Sequence, residues 1–68
     1  MGIKYIVCLD VVNGVPTTYL ARWKGDPGRT CIRSKAKRYA SARSATYALA
    51  NARKYGDFPN ACILEVAA

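Results

Sequence analysis

The chain has 68 residues and a formal net charge of +7 at neutral pH, from eleven lysines and arginines against four acids and no histidine. Apolar residues make up 51% of it and charged residues 22%, which excludes the apolar-poor composition of a disordered chain and predicts a single domain over residues 1–68. No apolar run approaches the ~20 residues that a membrane-spanning helix needs, and no secretory leader pattern is present. We therefore expect a cytoplasmic protein that has no membrane partner.

The first predicted element is a strand over Ile3 to Val12, where β-branched and aromatic residues alternate. Tyr5 to Val11, at odd positions, form one face. The other face ends in Lys4 and Asp10, and we expect it to be half solvated.

Asn13-Gly14 comes next and favours a type I′ turn, so the chain should double back as a hairpin. Because proline cannot donate to a ladder, we expect Val15-Pro16 to lie at an edge or at a strand start, with Thr17 to Lys24 carrying the pairing. Trp23 alternates with charged residues there and is expected to be a member of the core.

The next stretch is rich in turn formers and charge. Gly25-Asp26-Pro27-Gly28 predicts a turn, and Thr30 to Ile32 predicts a short extended segment. Arg33 to Arg38 has no clear periodicity. Apart from that short extended segment, the sequence therefore predicts no conformation for residues 29–40.

A helix is predicted from Ala42 to Tyr55, with Ser41 as N-cap and Gly56 at C′. An alternative is a bent helix that starts at Ser34; it would place Lys37 and Arg38 on the core side, so the later start is preferred. The buried stripe should be Ala45, Ala48, Leu49 and Ala52.

The last predicted strand is Ala61 to Val66, with Cys62, Leu64 and Val66 on one side. The elements together predict an α+β fold, a small antiparallel sheet of three to four strands with one helix packed on one face, in the order ββ(β)αβ. The sequence gives neither the strand order nor the oligomeric state.

The residues needed for catalysis are scarce. The acids are few and far apart and no histidine is present, so we expect no catalytic residues, no metal site, no cofactor and no enzymatic activity. The three cysteines, an odd number without CxxC spacing, are predicted to be reduced thiols buried in strands. Cys31, between Arg29 and Arg33, is the one candidate for an activated thiol.

The strongest functional feature is the basic stretch from Arg22 to Arg43, which holds eight of the eleven cations. One interpretation is a solvated surface that keeps the domain soluble. We prefer a site for a polyanion, because arginine predominates and Asp26 is the single acid within it. The predicted partner-binding or nucleic-acid-binding residues are Arg22, Lys24, Arg29, Arg33, Lys35, Lys37, Arg38, Tyr39 and Arg43.

Aromatic residues alternate with these cations. Most are expected to pack in the core, but Tyr39 and Tyr47 fall off the alanine stripe and could stack on bases, as in proteins that bind single strands. No RNP-like or GXXG motif accompanies them, so sequence-specific RNA binding is not predicted.

Tyr19 to Trp23, Ala36 to Ser41 leading into an alanine-bearing helix, and the final strand together resemble small phage and prophage proteins, over most of the chain. Some proteins of this size are anti-CRISPR proteins, so the resemblance implies a non-enzymatic inhibitor that binds a host protein or nucleoprotein complex and blocks its nucleic-acid recognition. Many anti-CRISPR proteins are acidic mimics of DNA, and this sequence differs from them because it is basic. Two other hypotheses are a basic regulator that binds DNA or RNA itself, and a structural or dimerisation module.

Overall fold

The computed structural model describes residues 2–25 and 27–67. Its four strands form one antiparallel sheet in the order β3-β2-β1-β4, and a helix packs on one face. The α+β class predicted from the sequence is confirmed. No helix in the described ranges is long and apolar enough to cross a membrane. The elements are β1 (Ile3–Val12), β2 (Val15–Leu20), β3 (Arg29–Thr30), a 3₁₀ turn (Arg33–Lys35), α1 (Ala42–Ala52) and β4 (Cys62–Ala67).

The β1–β2 hairpin closes through the predicted turn. Asn13 has φ 54° and Gly14 φ 78°, the two positive values that a type I′ turn requires. Val12 pairs with Val15 directly across it, so β2 begins one residue before Pro16. Val15-Pro16 therefore lies at a strand start, as predicted, but the expectation that pairing begins at Thr17 is wrong.

The predicted end of β2 at Lys24 is also wrong, because the chain turns back after Leu20. The amide of Ala21 donates to the carbonyl of Gly28, at 2.9 Å. The returning chain pairs as β3, which covers Arg29 and Thr30 only and starts earlier than the predicted segment. The predicted turn from Gly25 to Gly28 includes Asp26, which lies outside the described residues.

The start of α1 agrees with the sequence. The hydroxyl of Ser41 accepts from the amide of Ser44, at 3.1 Å, which satisfies one of the first helical amides and confirms the N-cap. The alternative of a bent helix from Ser34 is wrong, since Arg33–Lys35 form a separate 3₁₀ turn.

The end of α1 differs from the prediction. The amides of Lys54 and Tyr55 donate to carbonyls three residues back, in tighter turns than an α-helix, so the helix ends at Ala52. The C-cap is Arg53, so the predicted C′ position of Gly56 is wrong, and the φ of Gly56 is not positive.

The helix packs on the sheet through the predicted stripe. Ala45, Leu49 and Ala52 are buried, and Ala48 lies partly buried beside them. Because alanine has little bulk, the helix approaches the sheet closely, and Leu49 is its one large contact with the strands. The sheet contributes Val7, Leu9 and Leu20 to this core.

The opposite sheet face is buried as well, contrary to the expected half-solvated side. Ile6 and Cys8 are 1% and 0% exposed, because Ala36 packs over them together with Tyr19. A bulge in β1 near Asp10 shifts the register, so that Val11 joins this side. The predicted face of β4, with Cys62, Leu64 and Val66, also lies here, and the strand begins at Cys62.

Ala36 to Tyr39, which we call the crossing segment, passes from one side of the sheet to the other. Ala36 forms a bridge with Ala21 on the side without the helix. The amide of Lys37 donates to the carbonyl of Leu20 at 3.0 Å, and Tyr39 exchanges two backbone hydrogen bonds with Tyr5 at 2.7 and 2.9 Å. The segment therefore fixes the middle of the basic stretch to the strands.

Candidate functional site

An open groove of about 720 Å³ lies between α1 and the loop that follows β2. Three large aromatic side chains on its walls are substantially exposed: Trp23 at 49%, and Tyr47 and Tyr55 at 61% each. The expectation that Trp23 belongs to the core is wrong, because β2 ends before it and leaves it on the loop. The groove therefore presents aromatic rings to solvent.

The loop that carries Trp23 is so tight that it requires glycine at two positions. A Cβ on Gly28 would collide with the carbonyl oxygen of Trp23 and lie 3.3 Å from its ring atom Cδ1, while a Cβ on Gly25 would lie 2.7 Å from Gly28 Cα. Real Cβ atoms do not approach backbone so closely, so both positions need glycine. The tight loop holds the indole against the groove.

The side chains on the α1 side of the groove recur at helical spacing along the chain. Tyr47 and Asn51 on α1 and Tyr55 in the turn after it are spaced four residues apart and line the same wall, next to the partly buried Ala48 and the buried Ala52. Sequence reasoning considered Tyr47 but missed Asn51 and Tyr55. The i, i+4, i+8 spacing beside the alanine stripe was the available signal.

Two cations, Lys24 and Lys37, line the groove together with Tyr39. The Nζ of Lys37 lies 5.2 Å from the centroid of the Tyr39 ring, within cation–π distance. Burial raises the pKa of the Tyr39 hydroxyl. A tyrosine is neutral at physiological pH even without this shift, so the group can donate a hydrogen bond there. No acid is found among the described residues that line the groove.

Positive charge continues from the groove around the end of the sheet. Arg22, Lys37 and Arg38 line one shallow depression, and Arg33 and Arg38 line the next, where Glu65 also lies. Lys37 belongs to both the groove and the first depression. We call the continuous set Arg22, Lys24, Arg33, Lys37 and Arg38 the basic strip.

The other predicted site residues lie elsewhere. Arg43 is on α1, with its Cζ 5.9 Å from the centroid of Tyr47, so it adjoins the helix wall of the groove. Lys35 is exposed on the 3₁₀ turn and lines neither the groove nor the depressions of the basic strip.

Arg29 lies over the Phe58 ring, with 5.5 Å from Cζ to the centroid, and its Nε donates to the carbonyl of Pro27 at 3.3 Å. It lines a separate depression with Asp10 and Phe58. The structure therefore brings six of the predicted residues together, namely the basic strip and Tyr39, with Arg43 beside them, and separates Arg29 and Lys35 from that set.

The cysteines fall into two groups. Cys8 is buried and Cys62 is partly buried, both in strands, as predicted. Cys31 is exposed between β3 and the 3₁₀ turn, so its predicted burial in a strand is wrong. Among residues 2–25 and 27–67, no three histidine, cysteine, aspartate or glutamate side chains come together in a way that could hold a metal ion.

The fold and the groove define a small α+β protein with a cationic, aromatic surface on its helix side. No protein-family model matches the sequence, and neither the curated proteins nor the solved structures include a match to it.

Proposed function

We propose that this protein binds single-stranded nucleic acid in the groove between α1 and the loop after β2. The observation that carries the proposal is the set of three exposed rings, Trp23, Tyr47 and Tyr55, on the walls of a groove that also contains Lys24 and Lys37. Exposed rings stack on bases of any sequence, and lysines attract the phosphates between them. The net charge of +7 draws any polyanion toward this surface.

A single strand fits this surface better than a duplex does. Bases in a duplex are already stacked on each other and offer their faces to no side chain, whereas unstacked bases can reach the rings. The three rings in the groove are each about half exposed or more, so stacking needs no rearrangement of the core. The basic strip continues from Lys37 and would follow the phosphates out of the groove.

The direct test is titration with a short oligothymidylate. Trp23 is the single tryptophan of the chain, so quenching of its fluorescence reports stacking at the site. Binding should weaken with salt, with a log–log slope of roughly −2 to −4 if three to five cations contact phosphates of a single strand. A duplex of the same length should bind more weakly and quench less. Unchanged tryptophan fluorescence and no binding at low salt would overturn the proposal.

Matched variants locate the site. Tyr47→Leu removes a ring but keeps an apolar side chain, and should weaken binding by about 5- to 150-fold, the range of ~1–3 kcal/mol per stacked base. Lys37→Ala should weaken binding and flatten the salt slope by about 0.7, while Lys35→Ala, the same change in charge outside the basic strip, should change neither by as much. Equal effects of the two lysine variants would place the strand elsewhere.

The phage-type inhibitor is a second proposal. It is favoured by the extent of the basic strip, which continues beyond the groove to Arg33 and Arg38 and suits a partner larger than one strand. In this proposal the protein contacts the nucleic acid of a host nucleoprotein complex and blocks its target. The test is a target-DNA mobility shift with a guide-loaded CRISPR effector complex, before and after addition of the protein. Unimpaired target binding at saturating protein would refute inhibition of that complex.

A further inference from the structure

We propose that Cys8 and Cys62 form a reversible disulfide that joins β1 to β4. The two residues are direct cross-strand partners in the antiparallel pair, and both belong to the cluster on the face opposite α1. They are free thiols in this structure. This inference concerns the other side of the sheet from the groove and does not depend on the proposed function.

The backbone geometry allows the bond. Tyr5 directs its N–H and C=O to Tyr39, so the alternate residues Ile6 and Cys8 direct theirs to β4. Such a hydrogen-bonded pair has its Cα atoms about 5.5 Å apart, within the range of roughly 4.4–6.8 Å found for disulfides. The Cβ atoms, about 5 Å apart in such pairs, must approach by about 1 Å. The bond would therefore carry strain and be readily reduced.

The two thiols differ in accessibility, which assigns their roles. Cys62 is partly exposed and can meet a small oxidant, whereas Cys8 is fully buried and its thiol donates to the carbonyl of Asp10 at 3.1 Å. Burial, followed by the neighbouring Cys62, raises the pKa of the Cys8 thiol to about 11. Cys62 therefore reacts first and Cys8 second.

Hydrogen peroxide is a suitable oxidant. The Cys62 thiolate attacks one peroxide oxygen, the O–O bond breaks, and Cys62 becomes a sulfenic acid. The other oxygen leaves as hydroxide and takes up the proton that the Cys62 thiol released, which gives the first water. The Cys8 sulfur then displaces the hydroxyl group, which leaves as water with the Cys8 proton. Two thiols and one peroxide give one disulfide and two waters.

Tryptic mapping tests this pairing without any substitution, because trypsin places the three cysteines on separate peptides, residues 5–22, 30–33 and 55–68. After stoichiometric peroxide treatment of the folded protein, we expect the first and last peptides to be joined, with Cys31 still open to alkylation. In guanidinium, the shorter loops closed by Cys31 should compete, since loop closure favours nearby residues. A Cys31→Ser variant should still form the bond.

Two further measurements distinguish a specific Cys8–Cys62 disulfide of the folded protein from nonspecific oxidation. The oxidised protein should melt about 10 °C higher, because the gain from closing a long loop in the unfolded chain is only partly offset by the strain in the bond. Excess reduced glutathione should reopen the bond. The proposal is overturned if folded protein oxidises only at Cys31 or to Cys62 sulfinic acid while Cys8 stays reduced. Resistance of the bond to glutathione would overturn its reversibility.

Discussion

Leu49→Ala tests how the helix is held on the sheet. Leu49 is the one large side chain of the buried stripe and contacts a core that includes Val7, Leu9 and Leu20. Its replacement removes three carbons worth about 0.8 kcal/mol each, ~2.4 kcal/mol in all. The neighbouring Ala45 and other small helix residues cannot fill the cavity, which raises the expected loss to about 3–4 kcal/mol.

That loss is large for a chain of 68 residues, whose total stability should be roughly 3–10 kcal/mol. We expect the melting temperature to fall by about 15–30 °C, measured by far-ultraviolet circular dichroism together with urea unfolding. Asn51→Ala, an exposed position on the same helix, is the matched control and should stay within about 0.5 kcal/mol. A Leu49→Ala loss below about 1 kcal/mol would refute the described packing of α1 on the sheet.

Three further predictions concern the turn, the cap and a buried thiol. Gly14→Ala should lower the free energy of unfolding by about 1 kcal/mol, because Gly14 has a positive φ. Gly2→Ala is the control and should be nearly neutral, since an added Cβ meets nothing at either position and Gly2 has no positive φ. Similar losses for the two variants in urea titrations would contradict the type I′ turn. Ser41→Ala should cost about 1 kcal/mol through loss of the N-cap, and Ser34→Ala much less; equal thermal shifts would count against the cap. Because the pKa of the Cys8 thiol is raised to about 11, the unfolded thiol loses its proton first, so stability should fall between about pH 9 and 11; an equally steep fall in Cys8→Ala would exclude this thiol as a cause.

The parts of the fold that depend on neighbouring residues were predictable. The β1 strand over Ile3–Val12, the Asn13-Gly14 turn, the Ser41 cap and the alanine stripe each reflect local physical preferences, and the structure confirms all four. The predicted division of β1 into a buried and a half-solvated face is wrong, because both faces are buried and the bulge moves Val11 to the other side. Each signal lies within a few residues of the element that it specifies.

The errors come from contacts between distant segments. β2 ends early because the amide of Ala21 bonds to the carbonyl of Gly28, and no residue pattern within β2 itself predicts that hydrogen bond. The second sheet face is buried because Ala36 covers it, although charged residues surround that alanine in sequence. Exposure of Trp23 follows from the first of these contacts.

The cationic residues of the candidate site could be predicted from the sequence, but which of them come together in the groove could not. The basic stretch contains Lys24 and Lys37, and both line the groove. Arg29 belongs to the same stretch but packs over Phe58, and neither residue lines the groove. Spacing along the chain predicts which side chains are cationic, whereas the loop and the crossing segment decide which of them meet.

If a ligand binds in the groove as proposed, the hydrogen bonds of the crossing segment would link its binding to the opening of the sheet. The amides of Lys37 and Tyr39 are bonded to Leu20 and Tyr5, while their side chains line the groove. A ligand that binds only the closed form must leave before these amides can exchange with solvent. At a ligand concentration of about 100 times Kd, their hydrogen exchange should therefore slow by about 100-fold, equivalent to ~2.7 kcal/mol of linked protection.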